Sequence, residues 1–424
     1  MRAKAEAKKK TRVKGTDWML ILIVGILTVL GILMQYSASE YDWSIVKRSC
    51  ILACVGMVLM FIASYIPTRF YQKISVFVLA ATFVMTAATL VLGTESKGAT
   101  RWIKITSTLS FQPSEFLKIG VILGLASIIC KYINDINNLP ELRFKVLFRN
   151  IKEKNYGEFP NFFRYLWNRI KQIKSYIFIL LVTGFSGFVV AYITKDLGTA
   201  LIIVGIGAVM LLIISPRPGY MFPLSIIGLG AVVGLILSQS YRADRIAAWL
   251  NLEENQSDLG FQIKQGLYAI GSGGLLGKGL GKSVQKAFIP EAHTDMIYAV
   301  VCEELGLIGG LTLIGLYVML ILRFKTIYNK VTDVFGKMIV AGVATHIALQ
   351  AAVNMAVLTN LLPNTGIPLP FISYGGTSVL SLLVEIGLVL AVNRAEVKKE
   401  AEMAASNRRK RTVLGNTWNI EGNI

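Results

Sequence analysis

Residues 175–214 read SYIFILLVTGFSGFVVAYITKDLGTALIIVGIGAVMLLII. Two apolar runs, 175–194 and 197–214, are separated only by Lys195 and Asp196. Each run approaches the ~20 residues with which a helix crosses roughly 30 Å of hydrocarbon. The central pair of charges suits a tight helical hairpin; one long broken helix is the alternative.

Working outward, eight further runs of similar character cover 18–36, 49–66, 74–93, 113–132, 222–239, 296–320, 336–358 and 371–393. The chain of 424 residues is 54% hydrophobic and only 16% charged, with a mean hydropathy of +0.57. Soluble domains carry about 25% charged residues, so the soluble-enzyme and disordered classes are excluded. The pattern predicts an all-α polytopic membrane protein of about ten transmembrane helices. Residues 18–393 form one transmembrane domain between a basic tail at 1–17 and another at 394–424.

An even number of spans puts both termini on one side, and the distribution of Lys and Arg says which. With the N-terminus inside, the inner segments hold 31 basic and 11 acidic residues, and the outer segments hold 12 and 10. The net +19 of the whole chain therefore lies almost entirely on the cytoplasmic side. That placement assigns the basic excess to topology and anionic lipid, and not to nucleic acid. The first span is full length, with no small-residue cleavage pattern after it, so it reads as a retained helix. Cys50, Cys54, Cys130 and Cys302 lie within or at the edges of spans and read as small buried thiols, with no disulfide framework or metal cluster.

Two loops are long. The cytoplasmic loop 131–174 is basic and aromatic. It reads either as amphipathic helices on anionic lipid or as a solvated loop. The extracellular loop 240–295, between helices 7 and 8, mixes charge, glycine and proline. Long structured loops of this kind tend to carry function.

Ionisable groups inside spans are expensive. Glu115 and Lys118 are three apart, so they share a helix face and can pair. Glu303, Glu304 and Glu385 are the others. Arg101 beside Trp102 is either an interfacial belt with a lipid-phosphate contact or one flank of a site for an anionic, sugar-bearing substrate. GSGGLLGKGLGKS, 271–283, lacks the first glycine of a phosphate loop, because position 276 is leucine, and reads as a flexible loop. The strongest local signal is FIPEAHTDMIYAVVCEELG, 288–306. There Asp295 either caps the following helix or acts as general base. His293 is a competing acid or base.

Together these segments resemble the SEDS family (shape, elongation, division and sporulation), the FtsW/RodA/SpoVE group. The matching stretches are YSASE (36–40), GATRWIKI (98–105), FQPSEFLKIG (111–120), DLGTA (196–200), YRADRIAAWLN (241–251), PEAHTDMIYAVVCEELG (290–306) and GIPLPFISYGGTS (366–378). The resemblance implies a peptidoglycan glycosyltransferase in the bacterial cytoplasmic membrane. Such an enzyme polymerises lipid II into glycan strands at the outer face, beside a class B penicillin-binding protein. Carried over by motif, Asp295 is the catalytic carboxylate. Trp102 matters for activity, and Glu115 and Lys118 line a central cavity. Arg101, Arg242 and Arg245 handle pyrophosphate, with His293 and Thr294 at the substrate. A divalent cation, Mg or Mn, could share the task at the pyrophosphate. Lys195 stands where the family usually has proline, Met296 where it has an aromatic, and Thr377 where it has serine. Division, sporulation and elongation features are mixed. The competing classes are a lipid flippase or transporter, for which no internal repeat speaks, and a non-catalytic scaffold for the transpeptidase.

Overall fold

The computed structural model describes residues 15–96, 99–104, 110–137, 173–216, 240–250, 258–290 and 292–421, with a few isolated positions between 217 and 257. The long helices are α1 (Trp18–Ala38), α2 (Trp43–Tyr65), α3 (Thr68–Ala87), α5 (Pro113–Asn137), α6 (Lys174–Ile193), α7 (Leu197–Ile214), α10 (Ile297–Lys330), α11 (Val334–Leu358) and α12 (Gly376–Glu421). Shorter ones are α4 (Thr89–Leu92), α8 (Ser240–Leu250) and α9 (Asp258–Ser272). Among the described residues nine helices are long and apolar enough to span a membrane. The expected run at 222–239 falls almost wholly outside the described residues, as does the loop 131–174 beyond Asn137.

Charged side chains set several helix starts. Asp17, Asp42, Asp196 and Asp333 each accept a hydrogen bond from a first-turn N–H, of Leu20, Ser44, Thr199 and Gly336. These caps satisfy orphan donors at points where the chain re-enters an apolar environment. The 175–214 stretch is the hairpin: α6 ends at Ile193, Lys195 turns the chain with φ +53, and Asp196 opens α7.

Helix α11 is one of three central helices, with α5 and α12. It packs against α5, α7, α9, α10 and α12, and its apolar window is 67% buried, against 28% for those of α2 and α3. The outer helices turn Leu22, Val58, Phe77 and Phe185 outward, as a lipid-facing shell requires. Cys50 and Cys54 belong to that exposed shell of α2, while only Cys302 is buried. The buried-thiol expectation fails for the first two because they occupy the outward face of their helix.

Three departures from the expected all-α bundle matter. Residues 93–111 contain a small antiparallel sheet of β1 (Gly93–Ser96), β2 (Ala99–Lys104) and β3 (Ser110–Phe111). Helix α12 starts only at Gly376, so 363–375 is non-helical chain with a turn at 370–372, and the helix runs without interruption through 394 into the basic tail. Helix α10 breaks at Gly306, where φ is +67 and ψ −168.

The break is filled by residues 273–279. Lys278 and Gly279 N–H donate to the Glu303 and Glu304 carbonyls, and Leu307 and Ile308 N–H donate to Gly274 and Leu275. The glycine-rich 271–283 segment is therefore folded onto a helix defect, and the flexible-loop expectation is overturned. Backbone freed from a helix at membrane depth must find partners inside the protein, and this loop supplies them.

Candidate functional site

Connections at one end of the bundle, the outer end by the charge count, converge on the non-helical segment 364–374. Of the residues singled out in the sequence, Asp295, His293 and Arg245 reach it.

Asp295 lies in the turn before α10. The cap position of that helix is Met296, one residue on. Thr294 Oγ1 donates to Asp295 Oδ1 at 3.1 Å. The Asp295 main-chain oxygen accepts from Asn354 Nδ2 at 2.7 Å, and the same nitrogen holds Ile367 O at 2.8 Å. A Cβ on Gly366 would lie 3.8 Å from Asp295 Oδ2, so the segment passes beside the carboxylate. His293 meets Tyr374 edge-on, and its carbonyl accepts the Tyr374 N–H at 2.8 Å.

Arg245, on α8, donates to Asn364 O at 3.0 Å, and Trp249 one turn later donates to Asn360 O. Arg242 is on the same helix, but its side chain lies outside the described residues. Arg101, on β2, pairs with Asp196 at 3.7 Å. Gly198, two residues on, abuts Ile367 and the Thr365 carbonyl. Trp102 neighbours Arg101 on β2, where its carbonyl accepts from Thr94 Oγ1. Arg245 thus reaches the segment from α8, while Arg101 on β2 is held at the start of α7 by Asp196.

Glu115 and Lys118 pair at 2.9 Å and are 3% and 2% exposed. Their surroundings are tight. Lys118 Nζ donates to Gln350 Oε1 at 3.0 Å, and Gln350 Nε2 donates to Pro368 O at 3.0 Å. Because Nε2 faces a carbonyl, Oε1 is the acceptor toward both Lys118 and His346, whose Nε2 lies 2.8 Å away and so carries hydrogen. His346 Nδ1 then meets Glu385 Oε2 at 2.7 Å. The pair is sealed beneath α11 and α12. A small groove lies elsewhere, among Gln35 on α1, Ser49 on α2 and Tyr374.

Sequence reading missed His346, Gln350 and Asn354. Their spacing of four within an otherwise apolar run marks one polar face of α11. That periodicity was the available signal.

These features define a polytopic membrane protein with its polar side chains gathered around one interrupted segment near one membrane face. Residues 16–398 match the family model described as cell cycle protein, of FtsW, RodA and SpoVE, and the chain belongs to that family. It is 34% identical over 395 residues to stage V sporulation protein E of Bacillus subtilis strain 168, covering 91% of this chain and 98% of that one. It is 32% identical over 393 residues to a probable peptidoglycan glycosyltransferase FtsW of Geobacter sp. strain M18, covering 90% and 98%. Among solved structures, a chain of a peptidoglycan synthase complex shares the fold with a TM-score of 0.70 at 24% identity, over 90% of this chain and 98% of that one. The rod shape determining protein RodA of Thermus thermophilus does so with 0.63 at 25%, over 90% and 97%.

Proposed function

We propose that this chain is a peptidoglycan glycosyltransferase that polymerises lipid II at the outer face of the bacterial cytoplasmic membrane. The observation that carries the reading is Asp295. It lies in the turn before α10, with its carbonyl held by Asn354, beside the segment that Arg245 also contacts. Curated relatives named as peptidoglycan glycosyltransferases, matching across nine-tenths of the chain, support it.

In this reading the Asp295 carboxylate takes the proton of an acceptor sugar hydroxyl as its oxygen attacks the anomeric carbon of the donor. The bond to the lipid pyrophosphate breaks and the anion leaves, stabilised by Arg101, Arg242 and Arg245. Attack opposite the leaving group turns an α-linked donor into a β-linked product. A single carboxylate suffices because the leaving group is already activated, unlike in glycoside hydrolysis. Among the described residues no three His, Cys, Asp or Glu side chains group as a cation cage. No step is routed through a divalent cation. The partner is a class B penicillin-binding protein, which fits a fold shared with a chain of a synthase complex.

The test is polymerisation of lipid II by the purified chain with its transpeptidase. Wild type makes glycan polymer and Asp295→Ala does not. Polymer from a folded Asp295→Ala variant overturns the role of Asp295. No polymer from either, with lipid transfer across liposomes, favours a flippase.

A further inference from the structure

We infer that Asn354 is a positioning residue for Asp295, tying the turn that bears the carboxylate to a rigid segment, 366–374. The inference rests on the reading of Asp295 as the reacting group.

Asn354 is 2% exposed. Its amide nitrogen has two hydrogens and spends both, one on Asp295 O and one on Ile367 O. One side chain therefore sets the spacing between the catalytic turn and the segment. The segment also grips that turn at both ends, with Gly366 beside Asp295 and Tyr374 on His293.

The segment is held in a strained form. Phe371, buried at 2% exposure, has φ +63, a conformation that bulky L residues rarely adopt. Side chains from two helices clamp the carbonyls on either side of it. Tyr317 donates to Pro370 O at 2.5 Å, and Gln35 donates to Ile372 O at 2.8 Å. On α1, Gly31 leaves room for the Phe371 carbonyl, which a Cβ there would strike. Strain of this kind persists only where the surroundings over-determine it. A frame so constrained can hold a carboxylate to the tolerance that proton transfer from an acceptor hydroxyl needs.

The experiment uses the full chain with its transpeptidase partner and lipid II. Asn354→Leu removes both donors at similar size. The expected result is a kcat lower by about tenfold to a hundredfold, with KM within about twofold of wild type. In an Asp295→Glu background, where the carboxylate is already displaced, the same substitution costs much less, because the two residues act as one unit. Equal losses in both backgrounds, or a raised KM with kcat unchanged, would overturn the inference. If Asp295→Glu is inactive, the split between kcat and KM decides alone. If Asn354→Leu does not fold, Asn354→Ser, which keeps one donor, takes its place, with an intermediate kcat expected. Asp295→Asn separates the two readings: an active Asp295→Asn enzyme overturns both. An inactive one, together with wild-type kcat in the Asn354 variant, overturns only the positioning role.

Discussion

The Lys278 ammonium lies 2.6 Å from Glu303 Oε1, at the point where α10 breaks. Glu303 is fully buried and also accepts from Val284 N–H, Gln285 N–H and the Ser283 hydroxyl. It is the anchor that holds the 273–287 loop against the defect. Glu303→Ala strands the two backbone donors, each costing about 1–3 kcal/mol when buried. Lys278, 31% exposed, can turn to water at little cost. The expected loss is about 2–4 kcal/mol, read as a lower thermal unfolding midpoint in detergent, with new protease cleavage within 273–287. An unchanged midpoint with no new cleavage would show that the loop is held by other means.

Two glycines of α10 give opposite expectations. Gly306, at φ +67 and ψ −168, occupies a region open essentially to glycine alone, and a Cβ there meets the Leu275 carbonyl and Gly277 N. Gly306→Ala should cost at least about 1–3 kcal/mol. Gly315 lies in regular helix, and a Cβ there would have nothing within 4 Å. Gly315→Ala should be neutral or stabilising by up to about 1 kcal/mol. The pair is checked by comparing folded yield and unfolding midpoint of the two variants. Equal behaviour would mean that the break is not a fixed feature of the helix.

Most spans were legible because an apolar run of the right length has few alternatives in a membrane. The hairpin was legible because Lys195 and Asp196 interrupt one such run. The break at Gly306 was not, since the apolar run resumes after Glu303 and Glu304 and the backbone signal is one glycine. The 271–283 glycines suggested mobility; what they provide is backbone close enough to bond 303–308, a relation set by tertiary contact. Asp295 stood out through its motif, whereas Asn354, Gln350 and His346 hid inside a span whose average hydropathy concealed their shared face. The sheet at 93–111 was missed because its strands are short and lack a clear alternation.

The Glu115–Lys118 pair separates charge from stability. Removing one partner of a buried pair leaves the other uncompensated and costs about 3–5 kcal/mol, while replacing both can be nearly neutral. Lys118→Met alone should therefore lower the unfolding midpoint sharply, and Glu115→Gln with Lys118→Met should recover most of the loss. If the charges serve the substrate as well, polymerisation stays low in the recovered double variant. Full activity there would make the pair purely structural.

Arg245 tests the handling of the leaving group. Its contact with Asn364 O is shared in kind by Trp249, which donates to Asn360 O on the same connection. A role limited to holding 360–364 predicts similar losses from Arg245→Ala and Trp249→Phe. Electrostatic stabilisation of the departing pyrophosphate predicts a difference. Arg245→Ala should then lower kcat by about tenfold or more, and Trp249→Phe, which loses one hydrogen bond and keeps an aromatic ring, should cost only a few-fold. Arg245→Lys keeps the charge but loses the planar fork, so its kcat should fall between wild type and Ala. The measurement is polymer formed per unit time at saturating lipid II. Matching losses for Arg245→Ala and Trp249→Phe, or a Lys variant no better than Ala, would remove Arg245 from the chemistry and leave it as a support for the segment beside Asp295.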